Sequence, residues 1–169
     1  MTANYYIIDT SSLIELNMRY PMDVFPTLWK NVEGLIKKGT LISHTEVLKE
    51  ISLRDDNLKK WAKKQKDFFR SITEKQMKLV RDILSKYPSL AKTENETAAA
   101  DPFIIALAIE LGKNPQKTLF DTGKSSKGHI IVTEEKLRGT RIRIPFVCQG
   151  YNINCIDIIN MCRIEGWQF

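Results

Sequence analysis

Four short apolar runs constrain the fold of this chain more than any other feature. Residues 5–8 (YYII), 40–43 (TLIS), 129–133 (HIIVT) and 152–156 (NINCI) are brief, largely β-branched or aromatic, and bounded by polar or turn residues. Runs of this kind suit strands buried on both faces, as in a parallel sheet. Helical patterns fall between them. Leu13, Ile14 and Leu16 follow Thr10-Ser11-Ser12, and Phe25, Leu28, Trp29, Val32, Leu35 and Ile36 form a three- and four-residue stripe that Gly39 stops. A short helix is expected over 45–51 and an apolar one over 103–111, opened by Asp101-Pro102 and ended by Gly112. One helical turn is expected over 145–150 and a final helix over 157–164. Strands alternating with helices imply an α/β fold layered around a parallel sheet, whose ligand sites lie outside the carboxyl ends of the strands.

The length of 169 residues fits one domain with a core of its own, and 43% apolar residues rule out a largely disordered chain. The longest strongly apolar stretch, FIIALAIEL, is far shorter than the roughly 20 residues of a membrane span. The first residues, MTANYYIIDTSS, are not expected to act as an export signal, because an acid follows the apolar tetrad and no basic region precedes it. Three cysteines, Cys148, Cys155 and Cys162, make an odd count, so reduced thiols and a cytoplasmic location are expected.

The net charge of +6 is unevenly spread. Residues 59–92 hold 11 Lys and Arg against three Asp and Glu, a net of +8, whereas the remainder carries 15 against 17, a net of −2. The apolar residues of that window fall mostly at helical spacing. They predict two successive amphipathic helices with a break near Ser71–Thr73 and a stop at Tyr87-Pro88, forming a basic helical insertion at about 55–92. Such a segment is either a solvated face or an electrostatic footprint for a phosphate backbone or an acidic partner. Lys59, Lys60, Lys63 and Lys64 are the candidate RNA contacts within it, joined from outside by Arg138 and Arg141, which with Arg143 are either phosphate contacts or ordinary surface charge.

Acids stand where the elements change. Asp9 follows YYII, Glu134 and Glu135 follow HIIVT, Asp101 opens the apolar helix, and Glu46 and Glu50 lie on the short helix after the second strand. Each has a structural explanation on its own. Asp9 suits a helix N-cap, Asp101-Pro102 an N-cap with proline at the first helical position, and the glutamates a solvated surface. Together they point elsewhere. Carboxylates converging at one sheet edge repel one another unless a cation neutralises them. With no Cys/His cluster, the fitting ion is Mg²⁺ or Mn²⁺ rather than zinc. Such an ion orients a phosphodiester, activates water and stabilises the leaving oxygen.

The ordered set IIDTSSLIEL, LISHTEVLKEI, ADPFIIALAIELG and HIIVTEE resembles the PIN-domain ribonucleases, a family that includes the toxins of many toxin–antitoxin pairs. The likeness runs from about residue 5 to 160, and the tail IPFVCQGYNINCIDIINMC is similar to a PIN-like subgroup. It implies a three-layer α/β/α fold with a central parallel sheet of four or five short strands, in a single domain over 1–169. It implies catalytic Asp9, Glu50, Asp101 and Glu135, with Asp9, Asp101 and Glu135 holding Mg²⁺ or Mn²⁺. Glu46 competes with Glu50 for the second position, and Glu134 with Glu135 for the fourth, which is usually Asp or Asn in the family. Thr10, Ser11 and Thr133 are candidates to hydrogen-bond the metal-site carboxylates. The implied activity is a metal-dependent endoribonuclease, the toxin of a type II module, acting on single-stranded or loop RNA. The expected partners are RNA, an antitoxin protein and a second copy of the chain, with no membrane. The rival expectation is a non-catalytic PIN-like module that binds nucleic acid or protein through residues 59–92.

Other constellations carry less. Gly123-Lys124-Ser125 lacks the glycine at position 118 that a phosphate-binding loop requires. His44 and His129 have no metal-ligand spacing, and Ser11 and Ser12 lack the elbow glycines of a hydrolase nucleophile.

Overall fold

The computed structural model describes residues 3–54, 56–91, 100–113 and 128–169. In chain order the elements are β1 (Tyr6–Ile8), α1 (Thr10–Arg19), α2 (Pro26–Lys37), β2 (Leu41–His44), α3 (Thr45–Ser52), α4 (Asp56–Lys63) and β3 (Phe69–Arg70). There follow α5 (Glu74–Lys86), a 3-10 turn (Pro88–Ala91), α6 (Asp101–Lys113), β4 (Ile130–Val132), α7 (Ile144–Gly150), β5 (Cys155–Ile156) and α8 (Ile158–Ile164).

The five strands pair in the order β3-β2-β1-β4-β5, and every pairing is parallel. Tyr6 lies between Leu41 and Ile130, so β1 is the central strand. Its three residues are fully buried, as are Ile131 and Val132 beside them. Each such side chain contributes about 1.5–3 kcal/mol by leaving water, which explains why three residues suffice to define a strand here. Helices cover the sheet on both faces in a three-layer α/β/α arrangement. Right-handed crossovers send the helices of β1→β2→β3 to one face and those of the return to β4 to the other. Accordingly α1 packs with α3 and α4, while α5 packs with α6, and α6 with α7.

This strand order positions a site. From β1 the chain moves outward one way to β2 and β3, then crosses back to build β4 and β5 on the opposite side. The connections leaving β1 and β4 therefore diverge and open a crevice beyond their carboxyl ends, the topological switch point where α/β sheets bind ligands. Asp9 ends β1, and Thr133, Glu134 and Glu135 follow β4.

Three expectations are corrected in detail. The basic segment is not wholly helical, because Phe69–Arg70 forms the edge strand β3 between its helices. Phe68 and Trp61 are buried, and Trp61 meets both Trp29 and Phe68 edge-on, so aromatic packing draws the segment into the core. The expected break survives as Thr73, whose side chain accepts from Gln76 N–H to cap α5, and the expected stop as Tyr87. Secondly, α6 runs through Gly112 to Lys113 rather than ending before it. Thirdly, only Cys155 and Ile156 of the run 152–156 pair as a strand. The Gly123-Lys124-Ser125 motif and Lys92 lie outside the described residues.

Cys148, Cys155 and Cys162 are free thiols. Among the described residues no helix is long and apolar enough to cross a membrane.

Candidate active site

Asp9 is the most deeply set of the acids. It caps α1, with Oδ1 accepting from Ser12 N–H at 2.9 Å. The Thr133 hydroxyl donates to Oδ2 at 2.6 Å, and the Ser11 hydroxyl lies 2.8 and 2.9 Å from the two carboxylate oxygens. Those hydroxyls are themselves fixed. Ser11 Oγ accepts from Glu134 N–H at 3.0 Å and Thr133 Oγ1 from Glu135 N–H at 3.1 Å. Asp9 thus ties the exit of β1 to the exit of β4. Burial pushes its carboxyl up to about 7, against the hydrogen bonds from Thr133, Ser12 and Ser11, which favour the charged form.

Glu50 and Glu46 lie one helical turn apart on α3, and their partners separate them. Glu50 accepts from the Thr10 hydroxyl and, at 2.8 Å, from Ala100 N–H, so it bridges α1 to the residue preceding Asp101. Glu46 pairs with Lys49 Nζ at 2.6 Å on its own helix. The structure directs Glu50 to the crevice and Glu46 away from it.

Glu134 and Glu135 separate in the same way. Glu134 Oε1 accepts from Ile158 N–H at 2.9 Å, holding the start of α8. Glu135 accepts from Ile144 N–H at 3.0 Å and from Arg143 Nη1 at 3.1 Å, at the start of α7.

These placements converge on a cavity of about 680 Å³. Its acids are Glu50, Asp101 and Glu135, and its cations Arg54, Arg141 and Arg143. Asp9 does not line it and lies beneath Thr10 and Ser11, of which both do. The acids act on one another. Asp101 is held well above the usual carboxylate range, first by burial and then by repulsion from Glu135, Asp9 and Glu50, with Arg143 offsetting part of that repulsion. The two flanks of the crevice contribute different cations, Arg54 following α3 and Arg141 and Arg143 preceding α7.

A family model described as a domain of unknown function (DUF4411) matches residues 6–114 and 122–169, nearly the whole chain. The chain belongs to the DUF4411 family. No curated protein and no solved structure matches it.

In this DUF4411 chain the expected basic contacts divide. Arg141 lines the carboxylate cavity and Arg138 an adjoining pocket with Lys136 and Arg143. Lys59, Lys60, Lys63 and Lys64 line neither. Arg143, expected with Arg138 and Arg141 as a phosphate contact, does line the cavity, whereas Arg54 is not among the sequence candidates, because a single arginine after a helix has no periodicity or spacing to mark it. His44 is buried, with Nδ1 accepting from Glu46 N–H and Nε2 3.2 Å from Gln76 Oε1, a structural role that burial reinforces by lowering its pKa.

The donor chemistry of the DUF4411 cavity fits a hard divalent cation. Its acidic groups are carboxylates, hydroxyls surround them, and among the described residues no thiol or imidazole lines the wall. As placed, Asp9, Glu50 and Glu135 have protein donors of their own, and among the described residues no three His, Cys, Asp or Glu side chains are gathered tightly enough to share one ion. A cation entering here therefore exchanges with existing bonds. Arg143 on Glu135 is the bond most open to exchange, since its side chain is half exposed.

Proposed function

We propose that this chain is a metal-dependent endoribonuclease of PIN-like fold that hydrolyses RNA phosphodiester bonds at the carboxylate cavity. The observation that carries the reading is the cavity's composition. Glu50, Asp101 and Glu135 come from three separate elements and meet three arginines at the switch point of a parallel sheet, with Asp9 below. A purely structural use of those acids gives no reason to bring them together, because burial and then their mutual repulsion hold Asp101 above the usual carboxylate range. Glu50, Asp101 and Glu135, with Asp9 as the deepest group, would hold Mg²⁺ or Mn²⁺. The cation would supply neutralisation of the carboxylates and activation of water. The chain's own groups do the rest. Arg54 and Arg141 grip the phosphates on either side, Thr10 and Ser11 orient Glu50 and Asp9, and Asp101 stands in the cavity wall. A recessed site of this kind requires an accessible backbone, so the substrate is single-stranded or loop RNA. The resemblance to PIN-domain toxins supports a toxin's place in a type II pair, in the cytoplasm, with an antitoxin covering the cavity and a homodimer as the assembled form.

A second reading has its own support. Asp9, Glu50 and Glu135 are already satisfied by protein donors, and Glu135 holds the first N–H of α7. That arrangement suits a PIN-like module that binds nucleic acid or protein without cleaving. The assay separating the two is cleavage of a loop-containing RNA, and of DNA of the same sequence, in Mg²⁺ or Mn²⁺ and in EDTA. The nuclease reading expects RNA cleavage that EDTA abolishes and that Asp9→Asn and Asp101→Asn reduce by at least about a hundredfold. If both variants fold and cleave like the wild type, or none of the proteins cleaves, the nuclease reading is wrong.

A further inference from the structure

A second cavity, of about 400 Å³, adjoins the first through Glu135, which lines both. Its chemistry is different. The charges on its wall are paired within the protein: Lys136 Nζ lies 2.9 Å from Asp157 Oδ2, and Glu135 is held by Arg143 and Ile144 N–H. The polar groups left over are amides. Gln149 and Asn154 make no side-chain hydrogen bond within the described residues. Asn160 accepts from Arg163 Nη1 through Oδ1 at 3.0 Å, which leaves its NH₂ as donor. Leu137, Pro145 and Ile153 supply apolar wall between them.

One cavity therefore concentrates arginines and carboxylates, and its neighbour presents neutral amides on an apolar wall. A nucleotide divides in the same way, into a charged phosphate and a neutral, flat base with donors and acceptors on its edge. Side-chain amides suit such an edge because each offers both a donor and an acceptor. The volume lies within the range of small-molecule sites. Because Glu135 is common to both walls, the two cavities lie side by side, the phosphate-binding groups in one and the amides in the other.

We propose that the second cavity seats the base of the nucleotide whose 5′-phosphate occupies the carboxylate cavity, and reads it through Gln149, Asn154 and Asn160. This rests on the endoribonuclease reading and adds to it a place where the RNA sequence is recognised. The base must be unpaired to present its edge, so single-strandedness follows from this cavity as well as from the phosphate site.

The test is equilibrium binding of the four nucleoside 5′-monophosphates and of ribose 5-phosphate, measured calorimetrically in Mg²⁺ buffer beside the RNA cleavage assay. The expected result is a best nucleotide that binds about tenfold tighter than ribose 5-phosphate, with a clear order among the four bases. Gln149→Ala/Asn154→Ala, at two exposed positions, should bring all four nucleotides to within about twofold of ribose 5-phosphate while leaving ribose 5-phosphate itself unchanged. Arg141→Ala should weaken all five ligands alike. A wild type that cleaves RNA but binds the four nucleotides and ribose 5-phosphate equally overturns this inference alone, as does a double variant that keeps the order of bases. A wild type that neither cleaves nor binds ribose 5-phosphate overturns it together with the reading on which it rests.

Discussion

Asp9→Asn should make the protein more stable, and only at neutral to alkaline pH. In the folded protein the Asp9 carboxyl is pushed from 3.8 to about 7, chiefly by burial. Between those values the unfolded chain has lost its proton while the folded protein still holds it, so stability falls as pH rises. The stabilisation is complete below about pH 4 and gone once pH passes about 7. A shift of about three units at about 1.4 kcal/mol each sets an upper bound of roughly 4 kcal/mol on this loss. Asparagine is nearly isosteric and never ionises. Its Oδ1 keeps the N-cap bond from Ser12, and its NH₂ donates to the Ser11 and Thr133 hydroxyls, whose protons can turn outward. Allowing about half the bound for imperfect hydrogen bonding at every pH, the variant should be about 2 kcal/mol more stable than wild type at pH 8 and about 1 kcal/mol less stable at pH 4.5, where the wild type has lost only about 1 kcal/mol. Urea unfolding at half-unit steps from pH 4.5 to 8.5 measures the difference directly. If Asp9 is instead an ordinary ionised N-cap, asparagine caps about as well and the two proteins should differ by less than about 0.5 kcal/mol, with no trend across that range. That result would refute the assignment of Asp9 as a buried, proton-holding acid.

Two further substitutions test the remaining acids and their counter-charge. Arg143→Ala removes the cation that competes for Glu135, and should tighten Mn²⁺ binding about two- to fivefold by calorimetry without nucleic acid; unchanged or weaker binding would deny that competition. Glu50→Gln should lower RNA cleavage by at least about a hundredfold. Glu46→Gln, which loses only an ion pair with exposed Lys49, should leave cleavage unchanged and alter stability by less than about 1 kcal/mol, so equal cleavage losses would remove the distinction drawn between them.

How far the fold could be read beforehand follows from the physics of each element. The runs YYII, TLIS and HIIVT announced β1, β2 and β4, because a strand buried on both faces must be apolar at successive positions. β3 was hidden, since two residues in a lysine-rich stretch carry no periodicity, and Phe69 reads equally well as part of a helical stripe. Gly112 reads as a helix end, and α6 closes one residue beyond it, within the one or two residues over which helix ends fray. At the site, order along the chain picked out the acids but could not choose between residues on one helix face. Glu46 and Glu50 are four apart, and only Thr10 and Ala100, brought in by tertiary folding, separate them. The position of Asp9 below the cavity and the cation Arg54 depend on contacts between distant segments, and no local pattern records them.

The central claim is that these carboxylates hold a divalent ion, and Mn²⁺ soaked into crystals tests it most directly. An anomalous-scattering peak is expected among Asp9, Glu50, Asp101 and Glu135, with Arg143 drawn away from Glu135. At saturating Mn²⁺, no peak in that cavity and an undisturbed Arg143–Glu135 pair would contradict it.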